Sequence, residues 1–256
     1  MGLNIVNPFD LSGRVAIVTG SNTGLGAGMA VALAAAGCDI VGVSRADAGD
    51  TAARVEACGR RFADVRADLG SIAPVEDIVR AALEAFGRVD VLVNNAGIIR
   101  RENALDFTEA DWDAVVDVNL KSLFFLSRAA ARQFVKQKSG GKIINVASML
   151  SFQGGIRVAS YTASKSGVLG LTRLLANEWA AQGINVNAIA PGYMATANTA
   201  ALRDDAQRND EILSRIPAAR WGTPDDLAGP VVFLASPASD YVHGHTLAVD
   251  GGWLAR

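Results

Sequence analysis

Tyr161 and Lys165 stand four residues apart in a run with helical character, which brings both side chains to one helix face. A free phenol titrates near ~10, too high for a good base at neutral pH, and an ammonium one turn away favours the phenolate. Such a pair can exchange a proton with an alcohol or a carbonyl oxygen. Alone, Tyr-x-x-x-Lys is an ordinary helical surface pair, and Ser148 is what changes that reading. It lies just beyond the apolar run Ile143–Val146, at the carboxyl edge where open α/β sheets bind ligands. A hydroxyl there can hydrogen-bond the same oxygen and stabilise its developing charge. Asn119 is an uncharged polar residue inside an apolar helical stretch (Val115, Val116, Val118, Leu120) and reads either as part of this group or as a buried polar kink.

A second constellation suits an anion. The run Val15–Val18 leads straight into Thr19-Gly20-Ser21-Asn22-Thr23-Gly24-Leu25-Gly26, and a helix opens at once. Glycines allow a tight turn and let backbone N–H groups approach a pyrophosphate, while the helix start adds the positive end of its dipole. A glycine cluster by itself is weak evidence; the strand–turn–helix context gives it weight.

These residues require elements to hold them. Short apolar runs alternate with longer Ala-rich segments throughout the chain. Strands are expected at 15–18, 40–43, 62–65, 89–93, 143–146, 184–189 and 246–249. Helices are expected at 25–36, 74–86, from 108 toward 138 with a possible bend, at 161–181, irregularly at 198–215, and at 224–234. No Pro/Gly/Ser-rich linker interrupts the alternation. The pattern implies one α/β domain over residues 1–256, a Rossmann-like doubly wound parallel sheet with helices on both faces and a substrate-binding region around 191–220.

The glycine spacing T-G-x-x-x-G-x-G resembles that of the short-chain dehydrogenase/reductase family. Asn94-Asn95-Ala96-Gly97, Asn119, Ser148, Tyr161-x-x-x-Lys165 and Pro191-Gly192 follow in the family's order and cover nearly the whole chain. The resemblance implies NAD(P)-linked oxidation of a secondary alcohol, or the reverse reduction. It implies Tyr161 as general acid/base, Ser148 orienting the substrate oxygen, Lys165 binding the nicotinamide ribose and tuning the phenol, and Asn119 holding a water of the proton relay. It further implies cofactor contacts at Gly20, Ser21, Asn22, Thr23, Gly24, Leu25, Gly26, Asp68, Leu69, Asn95, Ala96, Gly97, Pro191, Gly192, Met194 and Thr196, and a homotetramer.

An acid ending the second strand would bind the adenosine ribose and repel a 2′-phosphate, but this strand ends Val43-Ser44-Arg45. Arg45 and Ser44 can both bind a phosphate, against which stand Asp47 and the lack of a basic residue in the glycine turn. The expectation is NAD(P) with a lean to NADP. The stretches Asn94–Glu102, Ser148–Arg157 and Ala248–Arg256 resemble the sugar-acid branch of the family, the 2-deoxy-D-gluconate 3-dehydrogenase and 2-dehydro-3-deoxy-D-gluconate 5-dehydrogenase group. A sugar acid needs a cation for its carboxylate, and Arg101 and Arg157 are placed to supply one; Gln153 and Tyr193 are candidates for its hydroxyls. Gluconate 5-dehydrogenase, 3-oxoacyl thioester reductase and a non-catalytic nucleotide-binding module are the alternatives.

Charge and composition set the outer limits. With 24 basic and 26 acidic side chains and half the residues apolar, the chain has the material for a large core and no basic excess for nucleic acid. No charged residue occurs from Val15 to Cys38, a length able to cross a bilayer, but Thr19–Gly24 breaks it into two short halves. No secretory signal is visible, two cysteines make no disulfide framework, and His243 and His245 alone make a poor metal site. The expectation is a cytoplasmic protein without membrane, nucleic-acid or metal partner.

Overall fold

The computed structural model describes residues 7–256. Seven strands form one parallel sheet: β1 Val15–Thr19, β2 Asp39–Ser44, β3 Phe62–Arg66, β4 Val91–Asn94, β5 Gly141–Val146, β6 Ile184–Pro191 and β7 Thr246–Val249. Their order is β3-β2-β1-β4-β5-β6-β7, so the winding reverses between β1 and β4. In doubly wound sheets the ligand crevice opens at the carboxyl ends beside that reversal.

The strands are continuously apolar because both faces are covered. Val15 and Ile17 of β1 pack into one core while Ala16 and Val18 pack into the other, the two-residue period of a strand. On the first face lie α3 Val75–Phe86, α5 Ser122–Gln137 and α6 Ala159–Trp179, contributing Ile78, Leu126, Phe134 and Leu175. On the other lie α1 Gly24–Ala35 and α9 Ala228–Ala235, contributing Met29, Leu33, Val231 and Leu234. Each fully buried side chain of this size contributes about 1.5–3 kcal/mol. The uncharged stretch from Val15 to Cys38 is thus a buried strand, a turn and a core-facing helix. No helix among the described residues is long and apolar enough to cross a membrane.

The expected helix from 108 to 138 exists but is interrupted. Thr108 caps α4 Glu109–Val116, its Oγ1 accepting the Asp111 N–H at 3.1 Å, and α4 runs through a π turn over Asp117–Lys121 into α5. Asn119 sits in that π turn, a distortion frequent at functional sites. One helix was not foreseen. α2 Thr51–Ala57 is seven residues long with only Thr51 and Val55 buried, too short for a readable period. The expected irregular helix near 198–215 resolves into α7 Ala200–Asp204 and α8 Ala206–Leu213. These two helices lie between β6 and β7 at the sheet's carboxyl edge.

Candidate active site

The glycine turn after β1 is built by close backbone contact. Gly20 and Gly24 have φ of +64° and +55°, which favours glycine. A Cβ on Gly26 would lie 2.0 Å from the Gly20 carbonyl oxygen, so the helix start admits no side chain there. Asn95, after β4, clamps the turn: its Nδ2 donates to Thr19 O at 2.8 Å and to Gly20 O at 3.2 Å. The N–H groups of Asn95 and Ala96 donate to Thr19 Oγ1 at 3.0 and 2.9 Å. No side chain caps the amino end of α1 and no acid lies in its first turn. Its first N–H groups are open donors at the positive end of the dipole.

Along the same edge, β2 ends at Ser44, a buried residue whose Oγ has no hydrogen-bond partner. A buried orphan hydroxyl is costly, and a ligand would remove that cost. Arg45 beside it is exposed, and Asp47 lies 3.8 Å from Arg66. After β3, Asp68 accepts the Gly70 N–H at 2.9 Å, whereas Leu69 packs into the core. After β6, Gly192 donates to Val249 O at 2.9 Å and Met194 is buried. The chain then crosses the glycine turn: a Cβ on Gly24 would lie 3.7 Å from Thr196 Cγ2.

Helix α6 and the end of β5 bring Ser148, Tyr161 and Lys165 together. Lys165 is 4% exposed, and its ammonium donates to Val146 O at 2.6 Å. Burial draws the ammonium from its ordinary value down to about 8. Its Nζ lies 5.7 Å from the centre of the Tyr161 ring. Burial pushes the Tyr161 phenol up, and the Ser148 hydroxyl and Arg101 guanidinium beside it pull the other way. The Lys165 ammonium is turned to Val146 O, and the Arg101 guanidinium also acts on the phenol.

Asn119 is 1% exposed and fully engaged. Its Oδ1 accepts the Ile98 N–H at 2.8 Å, and its Nδ2 donates to Ile98 O at 2.9 Å and to Ser164 Oγ at 3.3 Å. Ser164 in turn donates to Tyr161 O at 2.8 Å. This chain of bonds ties the loop after β4, through the π turn, to the first turn of α6. Gly97 lies against it, a Cβ there being 3.3 Å from Asn119 Oδ1.

The remaining candidates separate. Arg101 is exposed, its Nη2 3.5 Å from Asn198 O, and has no carboxylate partner among the described residues. Arg157, at φ +63°, lies 3.8 Å from Glu102. Gln153 is half-buried in the loop after Ser148. Tyr193 packs edge-on against Trp221 and Trp253, with ring centres 5.5 and 4.8 Å apart. Sequence reasoning passed over Ser151, Ser164 and the Val146 and Ile98 backbones, because nothing in a residue's identity marks a carbonyl or a helix-face hydroxyl as a partner. Only the Ser148-x-x-Ser151 spacing, that of a reciprocal cap, carried a signal.

Known proteins are similar to this chain along nearly its whole length. A family described as Enoyl-(Acyl carrier protein) reductase matches residues 20–254. A 2-dehydro-3-deoxy-D-gluconate 5-dehydrogenase of Dickeya dadantii is 65% identical over 252 residues, covering 98% of this chain and 100% of that one. A solved structure of a proposed 2-deoxy-d-gluconate 3-dehydrogenase from Agrobacterium tumefaciens, with bound NADP, is 56% identical with a TM-score of 0.93, covering 98% of this chain and 100% of that one. Another, of a proposed NAD(P)-dependent gluconate 5-dehydrogenase from Beutenbergia cavernae with bound NADP, is 50% identical with a TM-score of 0.92, covering 97% and 100%. With the family match over residues 20–254 and a relative 65% identical over 98% of the chain, this protein belongs to the short-chain dehydrogenase/reductase family.

Proposed function

We propose that this chain is an NAD(P)-dependent oxidoreductase that interconverts a secondary alcohol and a ketone on a deoxy or keto sugar acid, of the 2-dehydro-3-deoxy-D-gluconate 5-dehydrogenase type. The observation that carries this reading is the meeting, at one sheet edge, of Tyr161, Ser148 and the buried Lys165 ammonium with an uncapped glycine turn. The 65% identical relative of that name supports the substrate class.

The residues present fit a dinucleotide. Open N–H groups at the start of α1 suit a pyrophosphate, and the orphan Ser44 hydroxyl suits a polar group of the adenosine half. Gly20, Ser21, Asn22, Thr23, Gly24, Leu25 and Gly26 would line the phosphates, Ser44 and Arg45 the adenosine ribose, and Asp68 and Leu69 the adenine. Asn95, Ala96 and Gly97 would back the turn, and Pro191, Gly192, Met194 and Thr196 the nicotinamide. The lean is to NADP, since Arg45 pairs with no carboxylate among the described residues, Asp47 faces Arg66, and two solved relatives carry NADP. The cofactor supplies a hydride acceptor or donor when bound.

In the reducing direction the Tyr161 hydroxyl gives its proton to the carbonyl oxygen as charge develops there. Ser148 accepts the Leu150 N–H at 3.2 Å, so its own proton is free to donate to the same oxygen. Lys165 holds a positive charge near the phenol and would bind the ribose hydroxyls of the cofactor. Asn119 fixes the first turn of α6 through Ser164, and the family resemblance gives it the water of the relay behind Lys165. The enzyme is read as a cytoplasmic homotetramer acting on a small molecule, with no nucleic-acid or membrane partner.

For the substrate carboxylate, Arg101 is the stronger anchor, because Arg157 already faces Glu102. Gln153 and Tyr193 contribute to the hydroxyl side of the same region. Loss of one charge-assisted hydrogen bond costs about 1.5–3 kcal/mol, or roughly 10–100-fold in affinity. Arg101→Ala is therefore expected to raise KM for a sugar acid by about that factor, with less than about threefold effect on an uncharged ketone. Equal effects on the two substrates in steady-state assays would count against the carboxylate role.

A further inference from the structure

Ser151 joins two halves of the site that no covalent proximity holds together. It ends the short 3-10 turn Met149–Ser151 that follows Ser148. Its Oγ accepts the Ser148 N–H at 3.3 Å and donates to Lys165 O at 2.6 Å. A hydroxyl has one proton, so donation to Lys165 O leaves only lone pairs for Ser148, which fixes the direction of the chain: Ser148 N–H to Ser151 Oγ–H to Lys165 C=O. Bonds in such a chain polarise one another. The loop bearing Ser148 is thus stitched to the turn of α6 that carries Tyr161 and Lys165.

A second stitch, Lys165 Nζ to Val146 O, spans the same gap. It is less dependable, because it uses the ammonium, the group with other hydroxyls to serve in the proposed reaction. The Ser151 stitch uses only a backbone carbonyl and stays whatever the ammonium binds. Ser148 is otherwise held locally: its Oγ accepts from Leu150 N–H, and its carbonyl accepts from Ser151 N–H at 3.0 Å. Neither of those bonds reaches α6. Ser166 Oγ donates to Leu150 O at 3.4 Å, a bond that holds Leu150 rather than Ser148 itself.

We propose that Ser151 is a positioning residue, holding the Ser148 hydroxyl in register with the Tyr161 phenol by fastening the Ser148 backbone to the Lys165 carbonyl. The inference rests on the reading of Ser148, Tyr161 and Lys165 as the catalytic group. Displacement of a reacting group by about 1 Å can cost on the order of 10²-fold in rate.

The test compares Ser151→Ala in two backgrounds, with NADP+ and 2-dehydro-3-deoxy-D-gluconate as probes. In the otherwise native enzyme, kcat is expected to fall about 10- to 100-fold, with the NADP+ dissociation constant unchanged within about twofold. In a Ser148→Ala background the same substitution is expected to cost less than about twofold, since the hydroxyl it positions is gone. Ser151→Thr, which keeps the hydroxyl, is expected to recover most of kcat. Equal losses in both backgrounds, or an unchanged kcat in the single variant, would overturn the inference. If Ser151→Ala does not fold, Ser151→Cys keeps the volume with a weaker donor and is read by the same comparison. Should Ser148→Ala and Tyr161→Phe themselves leave turnover intact, the catalytic reading fails and this inference falls with it. Should both abolish turnover while Ser151→Ala is silent, only the positioning role fails.

Discussion

Tyr161→Phe is expected to lower kcat by about 10³-fold or more while leaving cofactor affinity within about twofold. The substitution removes one oxygen and keeps the ring, so packing on α6 is preserved. What is lost is the hydroxyl that gives or takes the proton at the substrate oxygen. Burial pushes the Tyr161 phenol up, which keeps it protonated at neutral pH and suits it to donate during ketone reduction. The opposite direction needs the phenolate, which neighbouring cations favour. Alcohol oxidation is therefore expected to rise toward alkaline pH in the native enzyme, and the Phe variant should lose that dependence together with its rate. Steady-state kinetics in both directions, with NADPH binding followed by fluorescence, checks both parts.

Lys165→Met carries the second large effect, and it separates function from stability. Activity is expected to fall by about 10²-fold or more, since the positive charge beside the phenol is gone. The ligand-free protein should nevertheless melt no lower than the native chain. The sign follows from burial: the folded ammonium titrates at about 8 against an ordinary value of 10.5, so the unfolded chain binds this proton more tightly. Below about 8 the charged group costs the folded state roughly 3 kcal/mol, and the cost fades as pH rises through the window from about 8 to about 10.5. Methionine removes that cost while filling the space, offset in part by the Val146 carbonyl it leaves without a partner. Calorimetry near neutral pH should give an equal or higher Tm for the variant, with any gain shrinking near pH 10. A marked loss of Tm with activity retained would show that Lys165 is a structural tie and nothing more.

Much of this was legible in the chain itself, for identifiable reasons. β1 and the glycine turn were readable because burial on both faces enforces a continuous apolar run, and the contact of Gly26 with the Gly20 carbonyl admits no other residue. The polar Asn119 in an apolar helix was visible as an anomaly, and the π turn around it is the cause. α2 was missed because seven residues with two buried positions carry almost no period. Arg101 and Arg157 looked equivalent by position, and the contact of Arg157 with Glu102 distinguishes them only in three dimensions. The direction of the Lys165 ammonium was also beyond reach, since its partner is a backbone carbonyl that every sequence possesses. Ser151 was hidden for the same reason, its partners being an amide and a carbonyl.

The central claim is hydride exchange with a small sugar acid, and an absorbance assay of reduced nicotinamide tests it most directly. The purified native enzyme would be given NADP+ or NAD+ with 2-dehydro-3-deoxy-D-gluconate, and NADPH or NADH with 5-dehydrogluconate and acetoacetyl thioester. Reduction of the oxidised cofactor by the deoxy sugar acid, whose C5 hydroxyl carbon gives up the hydride, is expected with kcat/KM at least about tenfold above that for the thioester, and with NADP+ at least as good as NAD+. Preferential turnover of the thioester, or no turnover of any sugar acid with either cofactor, would contradict the account.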